Sequence, residues 1–200
     1  PERARPVPIR DVGGIVTSDG MKAHLLEEYR RWPQANGTIS EIQLHGSLEL
    51  RGQALLGMYN YVSKVLYLAM DQSLGSLIIT LHHEVGHGLW AHYLPTSDRR
   101  WWSERYEQVR SIKGEFPSRY GAINAREFFA EHIAMAITYP EAHKRIFPIE
   151  HDSMSVQRLH PLPEEGGDSY VKKPLTDWMD RSIVAAWQQR RSGVVPERSS

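Results

Sequence analysis

One apolar run carries two histidines and a glutamate in the spacing His-Glu-x-x-His. The run extends from Ser73 to about Tyr93, and the motif occupies His83 to His87. On a helix, His83 and His87 lie about one turn apart on the same face, where both imidazoles can bind one metal ion. Two imidazole nitrogens supply half of a tetrahedral zinc site, which is catalytic only if one position stays open to water. The motif therefore predicts a zinc-binding helix, with Glu84 placed to take a proton from that water.

The alternative to a zinc site is a packed helix that carries two histidines by chance. Its apolar residues favour zinc, because they cluster on the side opposite the histidine pair: Leu74, Leu77, Ile78, Leu81, Val85 and Leu89. We therefore expect one side of the helix to pack in the core and the histidine side to face a cleft. His82 and His92 point away from the pair. We expect His82 to be a surface histidine or a support for a ligand, rather than a ligand itself.

The composition restricts the class of protein. Lysine plus arginine equals aspartate plus glutamate at 24 each, which gives no basic excess for a nucleic-acid partner. The absence of cysteine excludes disulfides, thiol nucleophiles and cysteine-rich zinc sites, and leaves histidine and carboxylate as the strong ligands. No apolar stretch reaches the ~20 residues of a membrane span. With 40% hydrophobic residues, we expect residues 1–200 to form one domain, and we expect that domain to be a monomer.

The remaining segments predict an α+β domain in which a small mixed sheet packs on helices. Residues 1–12 are rich in proline and arginine and predict a loose arm. A helical pattern runs from Ser18 to Pro33, and β-rich runs at 38–44, 55–61 and 64–70 predict three strands. Towards the C-terminus we expect a short helix at 141–147, a loop at 161–173, an amphipathic helix and a frayed tail at 193–200. The residues that mark the amphipathic helix are Leu175, Trp178, Ile183, Ala186 and Trp187.

An edge strand beside the metal would explain how a peptide is held. Such a strand offers free N–H and C=O groups, with which an extended peptide can pair. Either 55–61 or 64–70 could be that edge, and a buried interior strand is an equally good interpretation of each one. Trp101 and Trp102, flanked by arginines, could line a peptide-binding rim, although tryptophan is more often a core residue.

A second helix supplies carboxylates for the site. It begins at Asn124, whose side chain can cap it, and ends at Pro140. The third histidine of the metzincin motif is missing, because Tyr93 stands in its place. Glu127 and Glu131 share a helix face, so that one can bind the metal while the other accepts a hydrogen bond from a ligand imidazole. Asn124 and Glu127 also match a capping box, which needs no metal, so the residues alone leave both interpretations of Glu127 open.

The segment 118–131 carries a longer motif, which reads Ser-Arg-Tyr-Gly-Ala-Ile-Asn-Ala-Arg-Glu-Phe-Phe-Ala-Glu. It resembles the Y-G-x-x-N-x-x-E-F-F-A-E signature of the anthrax lethal factor family of zinc metalloproteases, a group that includes the compact secreted Pro-Pro endopeptidases. The two motifs stand in the family's order, and the resemblance covers about 64–139. It implies that His83, His87 and Glu127 are metal ligands and that Glu84 is the general base. It also implies that Glu131 supports the ligands from behind and that the Tyr120 phenol stabilises the oxyanion.

The resemblance implies a secreted zinc endopeptidase with a zincin-like fold, which acts on a peptide or protein substrate. Two other functions stay open: a catalytically silent, zinc-stabilised binding or toxin module, and an exopeptidase zincin. For the substrate, the resemblance allows a Pro-Pro preference or a preference for basic flanking segments.

Overall fold

The computed structural model of the chain describes residues 2–162 and 174–192, which form a mixed α+β fold. The main sheet contains the strands β1 (Ile9–Val12), β2 (Glu41–His45), β5 (Gly57–Asn60) and β6 (Val65–Ala69), and a separate hairpin contains β3 (Leu48–Leu50) and β4 (Gln53–Leu55). A short 3₁₀ turn covers Pro33–Ala35. The helices are α1 (Asp19–Arg30), α2 (Leu74–His92), α3 (Thr96–Ser111), α4 (Ala125–Thr138), α5 (Pro140–Ile146), α6 (Pro148–Val156) and α7 (Pro174–Ser192).

The strand order β1-β2-β6-β5 decides which strand a ligand can reach. β1, β2 and β6 are parallel, and β5 runs antiparallel to β6. β6 is interior and largely buried, as its almost continuous run of apolar residues requires. β5 has no strand on its other side among the described residues. Of the two candidate edge strands, the one at 55–61 is therefore the edge, and the one at 64–70 is not.

The prediction of a loose arm at residues 1–12 is wrong. Ile9–Val12 pairs in parallel with β2, and Ile9 lies opposite Ile42. Nearer the terminus, Ala4 is buried and its N–H donates to the Arg30 carbonyl at 3.1 Å. Proline and arginine suggested a solvated arm, but pairing with a distant strand determines the conformation of a segment this short.

Helix α2 lies in the middle of the fold. Ser73 begins it by accepting a hydrogen bond from the Ser76 N–H at 3.2 Å. All residues from 75 to 90 are buried, so the helix packs on every side and not only along the predicted apolar stripe. A Cβ at Gly86 would lie 2.8 Å from the Ala130 Cα, which no real side chain allows. This glycine lets α2 and α4 approach closely, and so brings the histidine motif within reach of the α4 carboxylates.

Helix α7 packs against the start of α2, where the Gly75 N–H donates to Ser182 Oγ at 3.1 Å. Ile183, Ala186 and Trp187 are buried, which confirms the described part of the predicted amphipathic helix. Outside the described part of the chain lie the side chains of residues 175 and 178, the predicted tail at 193–200 and the predicted loop beyond residue 162.

α5 confirms the short helix predicted at 141–147. In the described ranges, none of the helices has the length and apolarity needed to cross a membrane.

The tryptophan pair lies on α3. Trp102 is completely buried among Phe128 and Phe129, whereas Trp101 packs at the margin of the core. The core interpretation is therefore correct for Trp102, and a rim built from both tryptophans is wrong.

Candidate metal centre

Three side chains from α2 and α4 converge on one point. His83 Nε2 lies 3.1 Å from His87 Nε2 and 3.0 Å from Glu127 Oε2, and His87 Nε2 lies 3.5 Å from Glu127 Oε1. One ligand atom from each residue lies within 4.8 Å of the others. Both histidines are buried. The group has the spacing and the donor types to hold a metal ion.

The start of α4 resolves the two interpretations of Glu127. Asn124 Oδ1 accepts hydrogen bonds from the N–H groups of Arg126 at 2.9 Å and Glu127 at 3.1 Å, which caps the helix. The Glu127 carboxylate faces the two imidazoles instead of returning to the Asn124 backbone. Asn124 therefore caps the helix, and Glu127 is free to serve as a ligand.

Glu131 lies one turn further along α4, behind the histidines. His83 Nδ1 donates to Glu131 Oε1 at 2.6 Å, which directs Nε2 at the convergence point. Arg190, on α7, donates to the same carboxylate from Nη2 at 2.6 Å and from Nε at 3.4 Å. Glu131 is completely buried, so this guanidinium offsets the cost of burying its charge. Three helices thus fix the orientation of one imidazole.

The charges of the centre favour a cation. Burial lowers the pKa of His83, but the Glu127 and Glu131 carboxylates outweigh burial and raise that pKa to about 10. Burial raises the pKa of each carboxyl, yet the His83 hydrogen bond and, for Glu131, the Arg190 charge hold both pKa values well below the usual range. Two ionised carboxylates therefore surround the paired imidazoles.

Glu84 occupies a different position from the other carboxylates. It is buried, and burial raises its pKa above the usual value. A Cβ at Gly57 would lie 3.0 Å from Glu84 Oε1, so the carboxylate lies directly against β5. A raised pKa suits a group that must accept a proton and then release it.

A cleft of about 340 Å³ opens above these residues, between α2, α4 and β5. Tyr120 lines it and is partly exposed. Ser118 Oγ accepts from the N–H groups of Tyr120 at 3.1 Å and Gly121 at 3.3 Å, which holds the turn that carries the phenol. The guanidinium carbon of Arg190 lies 5.1 Å from the centre of the Tyr120 ring.

Sequence reasoning missed two cleft residues. Arg190 follows Glu131 by 59 positions, and nothing in its local pattern distinguishes it from a surface arginine. Tyr61 ends the edge-strand segment, and its hydroxyl lies 3.4 Å from His87 Nδ1. The guanidinium carbon of Arg126 lies 5.8 Å from the centre of the Tyr61 ring. Arg190 therefore supports His83 through Glu131, and the Tyr61 hydroxyl lies beside His87.

His82 is neither on the surface nor behind a ligand, so that expectation is wrong. It is completely buried, with Nε2 2.9 Å from Glu28 Oε2, and its Nδ1 accepts from the Trp32 indole at 3.1 Å. The ring links α2 to α1 on the side of the helix away from the cleft. Burial lowers the pKa of His82 despite the Glu28 partner.

The chain matches no protein-family model, and no curated protein matches it. The family resemblance of residues 118–131 therefore remains a prediction, and the function has to be inferred from the geometry of the site.

Proposed function

We propose that the protein is a zinc-dependent endopeptidase. The observation that carries this proposal is the convergence of His83, His87 and Glu127 beside Glu84, in a cleft bordered by a strand edge that no described strand covers. Two imidazole nitrogens and one carboxylate oxygen are a donor set that suits zinc and leaves a position for water. The carboxylate behind His83 is also typical of zinc-binding histidines.

Glu84 has the central part in the chemistry. When bound, zinc supplies a Lewis acid and lowers the pKa of water to about 7. Glu84 accepts a proton from the attacking water and later delivers it to the amine that leaves. Its burial favours this exchange, because a raised pKa makes the carboxylate a better base and keeps the acid form accessible.

Tyr120 is the donor proposed for the developing oxyanion. Its phenol lines the cleft, on a turn held by Ser118. A hydroxyl directed at the carbonyl oxygen stabilises the negative charge that forms as water attacks, and loss of one such donor typically costs about 10²–10³ in rate. The Arg190 guanidinium, which also pairs with Glu131, lies against the ring.

Strand β5 is the proposed platform for the substrate. The residues 55–59 line the cleft along the edge that no described strand covers. An extended peptide can add to this edge by main-chain hydrogen bonds, which holds the scissile carbonyl over the centre. An edge that runs along the cleft supports cleavage inside a chain, in agreement with the endopeptidase activity that the family resemblance implies.

The test is cleavage of a mixed peptide library, followed by mass spectrometry, with zinc, with a chelator and after zinc is restored. We expect internal cleavage that the chelator abolishes. Glu84→Gln should retain zinc and lower the rate by about 10²–10⁴-fold. Glu107→Gln, a change at an exposed position on α3, is the matched control and should cleave at the parental rate.

Each alternative predicts a different result of the same assay. A silent binding module would retain zinc and cleave nothing, and an exopeptidase would remove single residues from one end. Parental turnover by Glu84→Gln would show that another group is the base.

A further inference from the structure

A second pocket, of about 700 Å³, lies between the start of α3 and the start of α4. We call it the arginine pocket, because three of its lining residues are Arg99, Arg100 and Arg126. None of the side chains that line it is acidic. In a chain with equal numbers of acidic and basic residues, this is a local concentration of positive charge.

The three guanidinium groups keep a positive charge that a ligand can meet, although Arg126 also contacts Tyr61. No carboxylate forms an ion pair with any of them within the described residues. Arg99 is half-buried and is held by weak hydrogen bonds to the Trp90 carbonyl at 3.4 Å and Thr96 Oγ1 at 3.3 Å. A guanidinium held in place loses less entropy when it binds a carboxylate, and its planar fork matches both oxygens.

The arginine pocket adjoins the cleft at the His87 end. Arg126 lies against the Tyr61 ring, and the Tyr61 hydroxyl lies 3.4 Å from His87 Nδ1. Trp90, which lines the pocket, follows His87 by one helical turn. A peptide that passes His87 and Tyr61 therefore reaches the arginines next.

The position of Glu84 gives the direction of the peptide. Glu84 lies against Gly57, at the start of β5, whereas Tyr61 follows the end of that strand. Glu84 must deliver its proton to the leaving amine, which belongs to the C-terminal part of the substrate. The N-terminal part then extends past Tyr61 towards the arginines. This direction is antiparallel to β5.

We propose that the arginine pocket binds an aspartate or glutamate side chain of the substrate, on the N-terminal side of the scissile bond. The proposal rests on the proposed endopeptidase function, and it names the substrate class as acidic peptides rather than peptides with basic flanks. The binding groups are the guanidiniums and not the helix terminus, because Asn124 already accepts from two N–H groups in the first turn of α4, those of Arg126 and Glu127.

The first experiment measures binding without turnover. Fluorescein-labelled alanine-based decapeptides with two glutamates, two glutamines or two lysines are titrated with zinc-loaded Glu84→Gln protein, and binding is followed by fluorescence anisotropy. We expect the glutamate peptide to bind roughly tenfold more tightly than the glutamine peptide. Adding Arg100→Glu and Arg126→Glu together should remove this preference and favour the lysine peptide. Both arginines are exposed, so the substitutions should not prevent folding.

Arg110→Glu, a reversal at an exposed arginine on the same helix α3, is the matched control and should keep the preference for glutamate. Equal binding of the glutamate and glutamine peptides would overturn the proposal. So would a preference that persists in the double reversal, or one that Arg110→Glu removes equally.

The second experiment locates the acidic residue. In the library cut by the parental protein, we expect acidic residues to be enriched N-terminal to the scissile bond, and the double reversal should abolish that enrichment. Enrichment on the C-terminal side would overturn the proposed direction. If the parental protein cuts nothing, the proposed function fails, and the binding experiment still decides whether the arginine pocket prefers acidic peptides.

Discussion

Helix α4 contributes to two groups of histidines, one beside carboxylates and the other among aromatic rings. On one side, Glu127 and Glu131 face the imidazoles of His83 and His87. On another side, His132 begins a chain of three histidines, with Nδ1 2.9 Å from His143 Nε2, while His143 Nδ1 lies 3.3 Å from His151 Nδ1. We call this second group the His132 cluster. Glu131 and His132 are adjacent in sequence, yet they belong to different groups.

The surroundings of the His132 cluster are mostly aromatic. The His132 ring lies against Phe128, Phe147 and Trp102, with ring centres 4.4, 4.8 and 5.5 Å away. Its Nε2 is buried and meets no hydrogen-bond partner among the described residues. Burial holds the pKa of His132 well below the usual value, and burial together with the His151 charge lowers the pKa of His143 to about 3.

Histidine alone therefore does not make a cation site. Between the Glu127 and Glu131 carboxylates, the His83 imidazole has a raised pKa, whereas His132 and His143, buried among rings, have lowered pKa values and serve as packing groups. The carboxylates of α4 therefore decide which group can hold a metal.

Removing the ligand carboxylate should weaken zinc binding most. Glu127→Ala leaves two imidazoles without their anionic partner, and we expect zinc affinity to fall by more than about 100-fold, the upper range for losing a supporting group. Competition with a chromophoric chelator measures the affinity. Glu141→Ala, at an exposed position in α5, is the control. Parental zinc affinity in Glu127→Ala would mean that Glu127 is not a ligand.

A smaller loss is expected when the carboxylate behind His83 becomes neutral. Glu131→Gln keeps the shape of the side chain but removes the charge that orients His83 and pairs with Arg190. Zinc affinity should fall about 10–100-fold, as is typical for such supporting partners. The same chelator titration provides the measurement, and an unchanged affinity would remove Glu131 from the site.

These two carboxylates also show how far sequence reasoning could reach. The spacing of His83 and His87, and of Glu127 and Glu131, is local, because helix geometry places residues four apart on one face. The contact of Arg190 with Glu131 spans 59 positions and leaves no periodic signal. The same reason explains why β1 was missed, since its four residues become a strand only by pairing with β2. Sequence patterns thus report what one element presents, and tertiary packing decides what it meets.

The His132 cluster should make stability depend on pH. The pKa of His143 is about 3 in the folded protein and ~6.5 when unfolded, so between these values the unfolded state binds more protons. This contribution is fully present above pH ~6.5 and is lost as the pH falls, by at most about 1.4 kcal/mol per pH unit. Urea unfolding of the metal-free protein, measured between pH 7.5 and 4.5, gives the free energy of unfolding at each pH. Its slope against pH should be shallower for His143→Gln than for the parent. Equal slopes would show that His143 is solvated or protonated in the fold.

The smallest effect separates the cap of α4 from the carboxylate that follows it. Asn124→Ala removes the acceptor of two backbone N–H groups and should lower the free energy of unfolding by about 0.5–2 kcal/mol. Zinc affinity should not change, because the Glu127 carboxylate contacts the imidazoles and not the cap. Urea unfolding and the chelator titration measure the two quantities on the same protein. If zinc affinity fell together with stability, the first turn of α4 would position Glu127 as well as cap the helix. The contrast between the two histidine groups would then depend on how the helix begins, and not only on its carboxylates.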